Sequence, residues 1–408
     1  MQRAAGDCSP ADAGEGRGGA VCGATREVDR ALAAMDRRID WLQRLTPVNV
    51  DEIWEGFVAS GFRTMPDSRF SDGLEDEAPS LREQLFALPV REIDDPRIEA
   101  LLLEKQRELD RQIELVRMRD KAGFILASID LFGPVSERLL TTALDLLDAV
   151  PILPKDAEDT DVETVCREAR ATVAHYRQAA PDFRCEVIVD PTPGTSMYVD
   201  NGDFHVAFDY RTSRHRVRPL LAHEIGTHAV TRHNGAHQPL RTLAGGLADY
   251  DVLQEGLAVL GEYLAGYLPA DRLRILAARV VAAHMAVEEA MGPEIYACLV
   301  EEHGIEPADA FDTTVRAKRG GGLTKDALYL KGLAELLAYL RRGGDFAILF
   351  LGKFALHQLP SLEKLMADGV VRPPALLPSV ATDDAPRRRL AQARSLELHQ
   401  LYQENPPQ

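Results

Sequence analysis

The sequence predicts a predominantly helical α+β protein with one small antiparallel β-sheet. Three observations lead there. Apolar residues recur at helical spacing over most of the 408 residues. Alternating, β-rich texture is confined to about 185–208. A helix carrying two histidines and a glutamate follows that region directly.

The elements follow in chain order. Residues 1–24 are rich in Gly, Ala and Asp without periodicity, and read as a disordered tail. From Glu27 to Leu45, Leu32, Met35, Ile39 and Leu42 mark one helical face. Asp94-Asp95-Pro96 opens a long amphipathic helix to about Arg119, with a capping Asp and Pro at the first helical position. Further helices are expected at 134–149 and 156–178. Together they make a helical N-terminal region, 25–180. Texture changes at Pro181. Cys185–Asp190 reads as a strand, and Asp200-Asn201-Gly202 is a hairpin turn between Met197–Val199 and Phe204–Phe208. Helices resume from Pro219 to about Met366, giving a second region, 181–372. Residues 373–408 form a Pro-rich connector and a last helix at about 386–402.

Composition narrows the function classes. The chain has 47 Lys+Arg against 64 Asp+Glu, a formal charge of −17. This argues against an extended basic surface for nucleic acid. No apolar run is long enough to span a bilayer, and the N-terminus lacks the pattern of a secretory signal. Five scattered cysteines without a CxxC pair suggest neither a disulfide framework nor a thiolate metal site. The expectation is a cytoplasmic protein with reduced thiols.

The chemistry concentrates in Pro219–Asn234, PLLAHEIGTHAVTRHN. Pro219 suits a first helical turn, and Asn234-Gly235 a helix stop. Inside lies His223-Glu224-Ile225-Gly226-Thr227-His228, an HExxxH pattern. Two imidazoles and a carboxylate are the parts of a hydrolytic zinc site. On a regular helix residues i and i+5 stand about 140° apart, too far round to share a metal. A π-bulge near Gly226 would return them to one face. A helix with two partly exposed histidines and no metal is the competing reading.

The segment Asp251–Gly261, DVLQEGLAVLG, starts a second helix with the stripe Leu253, Leu257, Leu260, Leu264. Glu255 lies off that stripe beside Ala258 and Val259. A carboxylate among small apolar groups is costly to bury unless paired or coordinated. It would complete a two-His, one-carboxylate site with a fourth position for water. An exposed glutamate near the helix start is the alternative.

Gln254–Ala258 (QEGLA) and His223–His228 (HEIGTH) together resemble the bacterial flavohemoglobin expression-modulating QEGLA-motif proteins. That family is similar to the eukaryotic microtubule-associated tyrosine carboxypeptidases. The resemblance covers about 25–370, including Ala127–Gly133 (ASIDLFG). It implies a zincin-like metallopeptidase core at 181–372 that binds Zn2+ and removes a C-terminal residue from a peptide or protein tail. The eukaryotic relatives act on the tyrosinated tail of α-tubulin; here only the reaction class is carried over. By matching positions, His223, His228 and Glu255 resemble the metal ligands and Glu224 the general base. Tyr329, Arg316 and His205 are candidate oxyanion donors. Tyr329 also belongs to the stripe Tyr329, Leu333, Leu336, Leu340, and His205 to the hairpin.

A carboxypeptidase must also bind a free α-carboxylate, for which Arg is suited. Arg211, Arg214, His215, Arg216 and Arg218 form one basic cluster. Arg316, Lys318 and Arg319 form another, before Gly320-Gly321-Gly322. Arg216, Arg218, Arg316, Arg319 and His205 are the substrate-binding candidates; ordinary solvated charge is the competing reading for each. His233 and His237 read as surface or supporting residues, Asp249 and Asp251 as partners of a ligand imidazole or helix caps. Two other functions remain open: an aminopeptidase or dipeptidyl peptidase, and a non-catalytic regulatory binding protein. Neither nucleic acid nor membrane is an expected partner.

Overall fold

The computed structural model describes residues 21–404 except 72, 120, 192–196 and 319–323. Helices dominate, with small sheets, so the chain is α+β. The expected tail lies outside the described residues as far as residue 20, and the first helix, Gly23–Ile39, takes in its last two positions and buries Val28, Leu32, Met35 and Ile39. The long helix Pro96–Arg117 opens as expected: Asp95 Oδ1 accepts the Arg97 amide at 2.9 Å. Glu137–Ala149 and Val162–Ala179 are capped in the same way by Ser136 and Asp161. Residues 156–159 are not helical. The chain after them pairs β1 (Thr160–Asp161) antiparallel with β5 (Arg211–Thr212).

The hairpin is present. β3 (Met197–Asp200) and β4 (Asp203–Ala207) pair antiparallel, Met197 against Val206, with positive φ at both Asn201 (49°) and Gly202 (97°). The expected single antiparallel sheet is corrected in two respects: β1 and β5 form a separate two-stranded sheet, and the larger sheet is mixed. β2 (Val187–Asp190) joins β4 in parallel, giving the order β2-β4-β3. A turn signal specifies only its own hairpin; which edge a preceding strand joins is decided by long-range packing. The last helix is also shorter than expected, Asp384–Ala393.

The core centres on Tyr250–Ala265, hereafter the Glu255 helix. Every residue from Leu253 to Ala265 is buried. It packs against Leu328–Arg341 on one side and the histidine-bearing helix on the other. The first crossing is backbone on backbone. A Cβ on Gly256 would stand 2.4 Å from the Gly332 carbonyl carbon, and one on Gly332 1.9 Å from the Val252 oxygen. The glycine of QEGLA thus lets two helices meet without side chains between them. β3 and β4 pack on the outer side of the histidine-bearing helix. No helix among the described residues is long and apolar enough to cross a membrane.

Candidate metal centre

The histidine-bearing helix runs from Arg214 to Ala236 in three parts: α-helical Arg214–His223, a π-helical turn Glu224–Ala229, and α-helical Val230–Ala236. It starts five residues before Pro219, with the Ser213 hydroxyl accepting the His215 amide at 3.2 Å. Pro219 is therefore inside the helix, not in its first turn. Nor do Asn234-Gly235 stop it. Asn234 is buried, donating to the Phe350 and Leu376 carbonyls and accepting the Leu376 amide. Gly235 admits the Leu243 carbonyl, 2.1 Å from where a Cβ would sit.

The π turn lies where the HExxxH spacing calls for it, and hydroxyls support it. Thr227 Oγ1 donates to the Ala222 carbonyl, five residues back, at 3.1 Å. Thr231 Oγ1 lies 2.8 Å from the Thr227 carbonyl and 3.2 Å from that of His228. These bonds satisfy carbonyls that a widened turn leaves poorly served. The wider turn brings the His223 and His228 rings to 5.3 Å between centroids, at 76°.

Glu255 completes the cluster from the facing helix. The Nε2 atoms of His223 and His228 each lie 3.9 Å from Glu255 Oε2. One donor atom from each residue falls within 4.8 Å of the others. The ring atoms pointing away are occupied. His223 Nδ1 bonds Glu262 Oε1 at 2.9 Å, and His228 Nδ1 faces Gln254 Oε1 at 3.4 Å. Glu255 Oε2 is buried and has no hydrogen-bond partner. A carboxylate oxygen in that state is costly unless a cation meets it. With each Nδ1 engaged, each Nε2 can offer its lone pair. The donor set fits a divalent cation.

Glu224 sits beside this cluster, its Oε1 3.8 Å from His223 Nε2. Burial, reinforced by Glu255 and Glu262 against the opposing His223, raises its pKa to about 7. Burial also pushes His228 well below the ordinary imidazole range. Burial works on His223 in the same sense, but the Glu262 bond and the surrounding carboxylates outweigh it and raise its pKa. Glu262 itself is fully buried. Arg216 Nη2 at 2.7 Å and Arg272 Nη2 at 3.1 Å overcome that burial and hold it well below the carboxylate range.

Glu262 and Arg272 lie outside the motifs, and Gln254 opens the QEGLA motif without its contact to His228 being legible there. Glu262 has a readable signal: it lies seven residues after Glu255, on the same helical face, in the otherwise apolar stretch GLAVLGEYLAG. The cost argument that marks Glu255 applies equally to it.

The arginine candidates are dispersed. Arg216 is committed to Glu262 and the Tyr267 carbonyl. Arg316 forms a two-pronged pair with Asp326, at 2.6 and 2.9 Å. Arg218 is exposed, 4.0 Å from Asp383. Arg319 lies outside the described residues, as do Gly320–Gly322. His205 stacks on Tyr198 and bonds Asp190 at 3.1 Å. Asp249 precedes the Glu255 helix in a left-handed conformation, without a capping side-chain bond. Asp251 pairs with Lys325 at 3.5 Å.

Tyr329 is close enough to Glu255 to feel its charge: burial and then Glu255 raise the phenol pKa, so it remains a donor. The Arg279 guanidinium lies over its ring at 5.0 Å. Arg279 Nε is buried with no hydrogen-bond partner, and no ion pair engages this side chain among the described residues.

Fold and site together define a helical α+β protein with a largely buried two-histidine, one-carboxylate cluster whose donor atoms lie close enough together to hold a metal ion. The chain belongs to the microtubule-associated tyrosine carboxypeptidase family, whose model matches residues 55–397. Mouse microtubule-associated tyrosine carboxypeptidase 1 is 27% identical over 279 residues, 64% of this chain and 54% of its own length. A second mouse protein, named "Putative tyrosine carboxypeptidase MATCAP2", is 30% identical over 197 residues, 45% of this chain and 37% of its own. The chain thus spans about half or less of these relatives. A solved structure described as a putative lipoprotein from Colwellia psychrerythraea aligns at a TM-score of 0.42 and 11% identity, over 84% of this chain and 68% of its own.

Proposed function

We propose that this chain is a zinc-dependent carboxypeptidase with a zincin-like core, releasing the C-terminal residue of a peptide or protein tail. The observation that carries the reading is the partnerless Glu255 Oε2 facing two oriented Nε2 atoms, in a chain of a carboxypeptidase family. His223, His228 and Glu255 are the ligands. Bound zinc supplies Lewis acidity and lowers the pKa of water. Glu224 takes the proton of the attacking water and returns it to the leaving amine; its raised pKa suits both transfers near neutral pH. Tyr329 donates to the oxyanion that develops on the scissile carbonyl. Glu262 and Gln254 hold the ligand rings.

For the substrate α-carboxylate, the structure favours Arg279 over the sequence candidates. Arg216 and Arg316 are already neutralised by buried carboxylates, whereas Arg279 carries a buried, unsatisfied N–H beside Tyr329. An incoming carboxylate would satisfy it.

The test is metal analysis with digestion of paired peptides ending in a free acid or an amide. Wild type should hold zinc and shorten only the free acids. Glu224→Gln should keep the metal and lose about 100-fold or more in kcat. Arg279→Met should raise KM for the free acids about tenfold or more. A metal-free wild type in zinc-supplemented buffer, or equal cleavage of acids and amides, contradicts the proposal.

A further inference from the structure

A second set of metal-binding side chains lies farther along the histidine-bearing helix. His233 and His237 are four residues apart, a spacing that places both on one helical face. Their ring centroids are 4.4 Å apart. Asp182, in the turn after Val162–Ala179, reaches the same place, and one donor atom from each residue lies within 4.8 Å of the others.

The orientation of each group suits a ligand. His237 Nδ1 lies 2.8 Å from the His233 carbonyl, so it carries the proton and donates. Its Nε2 faces Asp182 Oδ2 at 2.7 Å. Nε2 is thus hydrogen-bonded to Asp182; a cation that displaced this bond and its proton would meet a ring already fixed through Nδ1, as in metal-ligating histidines. His233 is 8% exposed, and its ring nitrogens have no hydrogen-bond partner among the described residues. The Phe183 ring packs edge-on against it at 5.3 Å. Phe183 is itself buried, and its carbonyl takes Arg177 Nε at 3.1 Å. The turn bearing Asp182 is therefore anchored through Phe183. The outer face is open, with the His237 and Asp182 side chains 41% and 63% exposed.

We propose that Asp182, His233 and His237 form a second divalent-metal site, separate from the His223–His228–Glu255 centre. It would tie the turn before β2 to the C-terminal end of the histidine-bearing helix. Two imidazoles and one carboxylate select a borderline cation such as Zn2+, Co2+ or Ni2+ over Mg2+ or Ca2+.

The experiment titrates the metal-stripped full chain with Zn2+ by calorimetry, and with Co2+ by visible absorption. Asp182→Asn and His237→Gln alter exposed side chains, and circular dichroism checks their fold. Wild type should bind two equivalents and each variant one, with carboxypeptidase activity retained by the variants. His223→Ala should lose the other equivalent and keep the one sensitive to His237→Gln. A single wild-type equivalent that disappears in His237→Gln would uphold this site and remove the catalytic one. A single equivalent that survives His237→Gln, two equivalents that survive both surface substitutions, or preferential binding of Mg2+ would overturn the inference.

Discussion

At the scale of single residues, the centre is organised by charge bonded to charge. His223 is held by Glu262, and Glu262 by Arg216 and Arg272, so the orientation of the His223 ring rests on a buried ion cluster. Removing one member of such a cluster leaves its partners desolvated and unpaired. Glu262→Gln keeps the shape but not the charge. It should lower zinc affinity roughly 10- to 100-fold, and unfolding free energy by about 3 kcal/mol. Competition with a zinc chelator and denaturant melts check the two effects. Unchanged zinc affinity would mean that Glu262 serves only packing. Arg316 shows why charged residues are hard to assign from sequence. Its bidentate contact is the kind expected for a substrate carboxylate, but Asp326 supplies the carboxylate.

At the scale of elements, one helix departs from regularity and another gives up a side chain where the site is built. The π turn at Glu224–Ala229 aligns two histidines that a regular helix would separate. The HExxxH spacing makes that turn legible, but assigning it to glycine relaxation is incomplete. A Cβ on Gly226 would meet the Tyr176 hydroxyl at an ordinary 3.4 Å, while the Thr227 and Thr231 hydroxyls serve the carbonyls of the widened turn. Gly256 is different. Its neighbour is the Gly332 backbone, which cannot rotate away. Gly256→Ala should therefore push the Glu255 helix off the Leu328–Arg341 helix and destabilise the protein by roughly 1–3 kcal/mol. It should also weaken metal binding, because Glu255 is the preceding residue. Gly226→Ala should cost far less; equal losses in thermal melts would contradict this account of the crossing.

At the scale of the whole molecule, pH acts on the buried carboxylates around the centre. Burial raises Glu224 from 4.5 to about 7. In the metal-free chain it keeps its proton in the folded state after the unfolded chain has released it. The stability this contributes is present at low pH and lost as pH rises through about 7. Glu262, held below 4.5, acts oppositely: its contribution is present above that value and lost as pH falls. Metal-free protein should thus be most stable in mildly acidic buffer, and Glu224→Gln should flatten the alkaline side. At neutral pH, zinc at 100 times its dissociation constant should restore about 2.7 kcal/mol, seen as a melting transition raised by zinc and lowered by a chelator. A metal-free melting curve independent of pH between 5 and 8 would contradict the first expectation. Within a chain of formal charge −17, Arg272, Arg279 and Lys325 gather near Tyr329.

By itself the sequence determined what depends on neighbours a few residues apart. It specified the Asp95-capped helix, the Asn201-Gly202 hairpin and the bulged histidine pair. It also marked Glu255 as a carboxylate among small apolar groups, and the structure brings Glu255 to those histidines. Turn chemistry, helical period and the cost of burying a charge are local signals. Tertiary structure alone decided which edge β2 joins, which arginines are already neutralised, and that Glu262 and Gln254 engage the His223 and His228 rings. Those outcomes depend on which surfaces meet. A carboxylate 39 residues from His223 along the chain becomes its hydrogen-bond partner only when two helices pack, and spacing along the sequence carries no record of that approach.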